Sequence, residues 1–409
     1  MIYLDNGATT FPKPKSVTNA VNKALTEFGA NAGRGGHKLA IRASEEIYKC
    51  RKTIGEYYHI SDIEKIIFTN NCTTALNTVI KGVLKPNDHV VISCLEHNAV
   101  VRPLEKLKKI GVTYTKAQIE PFDHNKTIDS FRKAITDRTK LVICTHASNV
   151  FGFKLPVERI TALCHQYGIM VCVDVAQSAG LIPINLEESK VDFLCSAGHK
   201  GLYGPMGTGF LIINTDNIPD SLTEGGTGSN SLMTTQPEIL PDKFESGTPN
   251  LPGIVGLRAG IEFVMNKSEH IYQNEMNIIK YLYNSLKENK NIILYHQLPK
   301  ENYAVPVLSF NVKEHDSEYV SAYLNDKFNI ATRSGLHCCP LAHEFMGTDN
   351  IGTVRVVPSV FTTKAQIDTL IYGLRKIKWF FPDNTCNTTS KYGTIITNIS
   401  VKRRKLWTQ

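Results

Sequence analysis

Two residues able to do covalent and acid–base chemistry close apolar runs of the chain. Val171-Cys172-Val173-Asp174 ends in a carboxylate, and Phe193-Leu194-Cys195-Ser196-Ala197-Gly198-His199-Lys200 ends in an amine. An amine that can form a Schiff base, near an acid that can keep a pyridine nitrogen protonated, suits pyridoxal phosphate, whose ring then acts as an electron sink. A strand-end salt bridge explains this pair about equally well, so the rest of the chain has to decide.

The elements that must position them are short apolar runs alternating with amphipathic segments. Ile63–Thr69, His89–Cys94, Leu141–Thr145, Ile169–Asp174, Asp192–Cys195 and Gly209–Ile213 read as strands. Ala75–Leu84, Pro103–Ile110, Ile128–Ile135 and Pro156–Tyr167 read as helices, with apolar residues at three- and four-residue steps. This alternation predicts an α/β fold with a mostly parallel sheet covered on both faces. Ligands of such sheets bind beyond the carboxyl ends of the strands, where Asp174 and Lys200 lie. A Gly/Pro/Ser/Thr-rich passage, Gly225–Pro252, leads to helical patterns over Ile254–Met265 and His270–Lys287. A smaller α+β unit is then expected from Val305–Asn311, Ser317–Phe328, Thr353–Val357 and Lys364–Lys378.

The 409 residues carry 46 Lys and Arg against 38 Asp and Glu, a formal charge of +8. Lys391, Lys402, Arg403, Arg404 and Lys405 follow the last acid, Asp383, so the body of the chain is close to neutral. It has no basic stripe interleaved with aromatics, which argues against a nucleic-acid partner. No apolar run reaches the roughly 18 residues of a membrane span, and the start lacks a secretory pattern, so a cytoplasmic location without membrane association is expected. None of the ten cysteines forms a CxxC pair; Cys94, Cys144, Cys172 and Cys195 read as small core residues.

Several motifs occur in a fixed order: Tyr3-Leu4-Asp5-Asn6-Gly7-Ala8-Thr9-Thr10, Glu96-His97-Asn98, Ser148-Asn149-Val150, Asp174 to Gln177, Gly198-His199-Lys200, Phe244 to Asn250, and Arg333-Ser334-Gly335-Leu336-His337-Cys338. With them the chain resembles the class V aminotransferases, fold-type I pyridoxal phosphate enzymes, and among these the group II cysteine desulfurases and selenocysteine lyases. The resemblance runs to about Ile377. It implies a large cofactor-binding domain over 14–260, a small domain from 1–13 and 261–383, and a basic tail without packed structure over 384–409. It also implies that Lys200 holds the cofactor and shuttles protons, which needs a lowered amine pKa. Asp174 would pair with the pyridinium nitrogen and Gln177, one helical turn on, with the ring hydroxyl oxygen. His97 would stack on the ring, and Asn149 would orient cofactor or substrate. Cys72 and Thr73, just ahead of the Ala75–Leu84 helix, would meet the phosphate at its N-terminus together with His199. The family often has a hydroxyl residue where Ala197 stands, with Ser196 shifted by one, and Cys72 replaces a usual Thr or Ala. Thr248 would reach the phosphate bound to a second subunit, which implies a homodimer.

The same resemblance makes Cys338 the nucleophile that takes sulfur from L-cysteine, leaving alanine and a persulfide for an acceptor protein. Arg333 and His337 would favour its thiolate, and Arg355 would clamp the substrate carboxylate with Arg333 nearby. Cys339 is expected to be auxiliary or incidental. L-selenocysteine as substrate, an aminotransferase or epimerase in which Cys338 is incidental, and a binding protein acting through the basic tail remain open at this point.

Overall fold

Period-two alternation of buried side chains builds the main sheet. The computed structural model describes residues 1–377 apart from Arg34, Asn230 and Ser231, so the expected basic tail over 384–409 lies outside the described residues. After β1 (Ile2–Tyr3) come β2 (Ile66–Thr69), β3 (His89–Ser93), β4 (Thr113–Ala117), β5 (Thr139–Thr145), β6 (Met170–Asp174), β7 (Phe193–Ala197) and β8 (Gly209–Ile213). Strands β2 to β8 form one sheet of order β2-β8-β7-β6-β5-β3-β4, in which only β8 runs against its neighbours. On one face Val91, Val142, Val171, Val173, Leu194 and Phe210 join a core covered by the helices Lys38–Tyr58, His124–Ala134 and Leu251–Met265. On the other, Ile92, Ile143, Cys172, Phe193, Cys195 and Leu211 pack under the helices Cys72–Val83 and Asn98–Leu107. Full burial on both faces explains the continuous apolar runs, each Val, Leu or Ile contributing roughly 1.5–3 kcal/mol.

The remaining strands are β9 (Ile292–Leu294), β10 (Leu308–Val312), β11 (Ile330–Ala331) and β12 (Val354–Val356). An antiparallel sheet β12-β10-β9 and a parallel pair β1-β11 use them, within the same compact unit Met1–Arg375. Among the described residues no helix is long and apolar enough to cross a membrane.

The differences from the sequence reading have local causes. Ile63–Lys65 is a 3-10 turn capped by the Asp62 carboxylate rather than the start of β2. The helix expected from Pro103 begins at Asn98, because the His97 ring accepts from the Ala99 amide and Pro103 sits inside the helix. Edge strand β4, Thr-Tyr-Thr-Lys-Ala, has no apolar run to announce it. Helices Lys15–Glu27 and Lys38–Tyr58 also fall outside the apolar-run pattern.

Burial fixes the protonation of several side chains. It pushes His199 and His343 down to about 4, His146 to about 3 and His337 to about 2. The unfolded chain regains ordinary imidazoles and binds more protons as pH drops below about 6.5, so stability is lost in that direction. Glu96 and Glu275, pushed up to about 8 by burial, act oppositely, losing stabilisation as pH rises from 4.5 through 8. The imidazoles outnumber the carboxyls. The denaturation midpoint is therefore expected to fall on acidification from pH 6.5 to 4.5, and a midpoint that rises over this interval would contradict the assignment of buried neutral histidines.

Candidate active site

The carboxyl ends of β5, β6 and β7, with the segments after β2 and β3, converge on one cavity. It is lined by Cys72, Thr73, His97, Asn149, Asp174, Gln177, His199 and Lys200. Asp174 is the last residue of β6, opposite Thr145 of β5. Lys200 lies three residues beyond β7 in a turn closed by hydrogen bonds from the Gly198 amide to Thr208 O (2.9 Å) and from the Gly204 amide to Gly198 O (2.8 Å). The segment after Asp174 is a turn. At its end Gly180, with φ +85°, approaches the Lys200 turn so closely that a Cβ would lie 2.1 Å from Gly201 O. The two reactive turns are thus packed backbone to backbone, which only glycine permits.

The amino-terminal motif latches this turn. His199 O accepts from the Thr9 and Thr10 hydroxyls (3.1 and 3.2 Å) and from Lys13 Nζ (2.8 Å), and Thr10 Oγ1 also donates to Lys200 O (3.0 Å). Gly7 O accepts from Gln177 Nε2 at 2.9 Å. The sequence reading assigned Asp5, Gly7, Thr10 and Lys13 no role of their own. Their types are unremarkable, and only their place in the Tyr3–Thr10 motif and just beyond it pointed to them.

Charge inside the cavity follows from burial. Desolvation lowers the Lys200 amine, opposed by the Asp174 carboxylate and reinforced by the Arg355 and Arg333 guanidinium groups. His97 is pushed down to about 4, mainly by desolvation. Its Nδ1 accepts from the Ala99 amide at 3.0 Å, which leaves the neutral ring's proton on Nε2. Asp174 Oδ1 accepts from the Ala176 amide (2.8 Å) and the Cys72 thiol (3.3 Å). Cys72 thus opens its helix beside the cavity with its thiol turned to Asp174.

This donor set fits pyridoxal phosphate. The Cys72 and Thr73 amides have no partner within their helix, and the Thr73 hydroxyl and the buried, unpaired His199 Nδ1 stand in or beside the same wall. Ser196 does not replace the missing hydroxyl at Ala197. By strand alternation it faces the opposite side of β7 with Leu194, while Ala197 lies on the cavity side with Cys195.

Cys338 borders a neighbouring groove that shares His97 and Thr73 with the cavity. It is exposed, whereas Cys50, Cys72, Cys94, Cys144, Cys164, Cys172, Cys195 and Cys339 are buried. His337 and Cys338 adopt left-handed φ values of 50° and 57°, a conformation costing roughly 1–3 kcal/mol each that the surroundings must impose. They do so at several points. Asn98 N donates to Cys338 O (2.9 Å), Asn149 Nδ2 to His337 O (2.9 Å), and the Cys339 thiol to Leu95 O (3.2 Å) and Glu96 O (3.3 Å). Glu96 Oε1 in turn accepts from the Ser93 hydroxyl and the Thr145 amide, stitching β3 to β5 directly before His97. Cys339 is therefore an anchor, its thiol pushed far up by burial.

Arg333 NH2 lies 3.6 Å from Cys338 Sγ, as expected. His337 departs from expectation: its ring is buried on Thr353 O at 3.0 Å and held neutral, so it offers the thiol no positive charge. Arg355 pairs by backbone with Arg333 and is buried, donating to Asp5 Oδ1 and Asn149 O at 2.8 Å each, with Nε unpaired. A Cβ at Gly7 would approach its guanidinium to 3.1 Å. Thr248 is not in the Lys200 cavity; it is exposed beside a separate cleft with Thr74 and Asn250. The neighbouring Glu245 anchors this segment through a two-pronged bond to Arg51 at 2.9 Å.

Comparison with known proteins places this geometry in context. The family model described as aminotransferase class-V matches residues 2–370. A probable cysteine desulfurase of Methanothermobacter thermautotrophicus is 31% identical, the match covering 92% of this chain and 94% of that one. A cysteine desulfurase of Escherichia coli O157:H7 is 29% identical, covering 92% and 93%. The apo structure of a cysteine desulfurase from Thermococcus onnurineus superposes with a TM-score of 0.82 at 30% identity, over 91% of this chain and 93% of that one.

Brief alkylation of the native protein with iodoacetamide, followed by peptide mapping, is expected to label Cys338 and spare Cys339. Labelling of Cys339 at a comparable rate would contradict the anchoring contacts.

Proposed function

The chain belongs to the aminotransferase class-V family and has pyridoxal 5'-phosphate as its cofactor, and from that premise we propose that it is a cysteine desulfurase that moves sulfur from L-cysteine to Cys338. The observation that carries this reading is the placement of the exposed Cys338 thiol in a groove that shares His97 and Thr73 with the Lys200 cavity, on a loop clamped to the cavity rim. Generic chemistry of the family needs no such thiol.

When bound, pyridoxal phosphate supplies an electron sink that makes the bonds around the substrate Cα labile. Lys200 Nζ would hold the cofactor covalently and, as a free amine, would take and return the Cα proton, for which its lowered basicity suits it. Asp174 holds the positive end of the pyridine ring. The Cys72 and Thr73 amides and the Thr73 hydroxyl hold the phosphate at a helix N-terminus. His97 would wall the ring, its neutral imidazole carrying the proton on Nε2. Arg355, pinned by Asp5, and Asn149 hold the substrate carboxylate, which fixes which Cα bond is aligned for cleavage.

The Cys338 thiolate attacks the substrate sulfur. A new S–S bond forms, the substrate Cβ–S bond breaks with its electron pair remaining on carbon, and protonation there gives alanine and an enzyme persulfide. The Arg333 guanidinium stands 3.6 Å from Sγ, beside the attacking atom. The active unit is a homodimer in which the exposed Thr248 reaches the phosphate site of the second subunit, and an acceptor protein removes the sulfur.

With cysteine as the only substrate and no keto acid, the loaded enzyme is expected to release alanine. Cys338→Ala should keep the visible absorbance of the lysine-bound cofactor and lose alanine formation with a persulfide, while Lys200→Ala should lose that absorbance and at least about 10²-fold in rate. Undiminished cysteine turnover by Cys338→Ala would overturn the proposal. Loss of cysteine turnover with retention of selenocysteine turnover would instead assign Cys338 to sulfur chemistry alone.

A further inference from the structure

The groove that leads to Cys338 carries three cationic side chains, Lys81, Arg102 and Lys106. Its walls are the helices Cys72–Val83 and Asn98–Leu107. Thr73, Asn77 and Lys81 recur every four residues on the first, and Asn98, Arg102 and Lys106 do so on the second, so each triplet lies along one helix face. All six line the groove, together with Cys338, and no acidic residue does. Lys81, Arg102 and Lys106 form no ion pair among the described residues, although their neighbours Lys85 and Lys108 are paired with Asp220 and Glu105. Arg333 adds a fourth positive group from the loop side, 3.6 Å from Sγ. The groove floor is fixed to the nucleophile, since the Asn98 amide that opens the second helix donates to Cys338 O at 2.9 Å.

Resting on the desulfurase reading, we propose that this groove is the docking surface for an acidic, thiol-bearing segment of the sulfur acceptor. The chemistry of unloading calls for such a surface. The acceptor thiolate attacks the outer sulfur of the Cys338 persulfide, a new S–S bond forms on the acceptor, and the old one breaks to return Cys338 as a thiolate. The two reactants approach each other with like charge, and unpaired cations at the mouth offset that repulsion. They also steer an acidic partner over roughly a Debye length, about 8 Å at physiological ionic strength. An acidic face rather than the thiol alone is specified, because Lys81 and Lys106 stand two helical turns from the ends that meet Cys338 and can only be met by carboxylates flanking the acceptor thiol.

The test uses the full-chain holoenzyme and a Lys81→Gln/Arg102→Gln/Lys106→Gln variant, which should form alanine from cysteine with dithiothreitol at the wild-type rate. In the first arm Cys338 reacts with an anionic methanethiosulfonate reagent and with its trimethylammonium counterpart. The anionic-to-cationic rate ratio should fall about threefold to tenfold in the variant and with added salt in the wild type. In the second arm, cysteine-loaded enzyme passes sulfur to short peptides with a central cysteine flanked by glutamates, serines or lysines. The glutamate peptide should be fastest with the wild type, and the order should collapse in the variant.

A ratio unchanged in the variant, a preference for the lysine peptide, or protection of Cys338 by a single-stranded oligonucleotide but not by the glutamate peptide would each overturn the proposal. If cysteine loads no sulfur on Cys338, the desulfurase reading falls, and with it the acceptor as occupant, even where the first arm still registers a cationic groove.

Discussion

A carboxylate at the end of β6, almost out of reach of water, is the constraint on which the site depends. Asp174 is 5% exposed, and an unpaired charge in that position would carry a heavy desolvation cost. One of its oxygens is met by a backbone amide and a thiol, and the remaining capacity faces a cavity that also holds an amine whose basicity burial has lowered. A ring that offered a protonated nitrogen to the carboxylate and an aldehyde to the amine would satisfy both groups. The sheet makes this possible because adjacent parallel strands deliver their carboxyl ends to one edge, and the touching backbones of the Gly180 and Gly201 turns hold the two ends in place.

From that constraint the chain builds outward in two directions. The amino-terminal segment crosses the site and is tied to it at both ends, by Thr10 and Lys13 on the His199 carbonyl and by the Asp5 pair with Arg355. On the other side the Cys338 loop is forced into left-handed geometry and clamped to the β3 and β5 termini. His97 and Thr73 line both the Lys200 cavity and the cysteine groove. The Lys200 cavity and the Cys338 groove are thus built by separate parts of the chain that meet at an imidazole kept neutral by burial.

Much of this was legible beforehand because parallel strands buried on both faces write themselves as apolar runs, and the residue that follows each run is the one that faces the site. Asp174, Lys200, His97 and Asn149 came from that rule combined with the order of the motifs. What was not legible depends on side-chain direction or on contacts distant in sequence. Strand alternation, and nothing in residue type, turns Ser196 away from the cavity while Ala197 faces it. His337 beside a cysteine reads as a cation, yet its ring folds inward onto Thr353, where burial keeps it neutral. Cys339 differs from Cys338 only by one position, and the reversal of exposure between them reflects the positive φ at Cys338. The threonine-rich edge strand β4 escaped notice for the opposite reason, having too little apolar character.

In the proposed reaction sulfur leaves the substrate by attack of Cys338 and not by release to solvent. This route is tested most directly by adding one equivalent of L-cysteine to the cofactor-loaded protein and measuring, by peptide mass spectrometry, which cysteine gains a sulfur atom as alanine forms. One added sulfur on the peptide at Cys338 is expected for each alanine. Alanine released without added sulfur there, or with the added sulfur on Cys339, would contradict it.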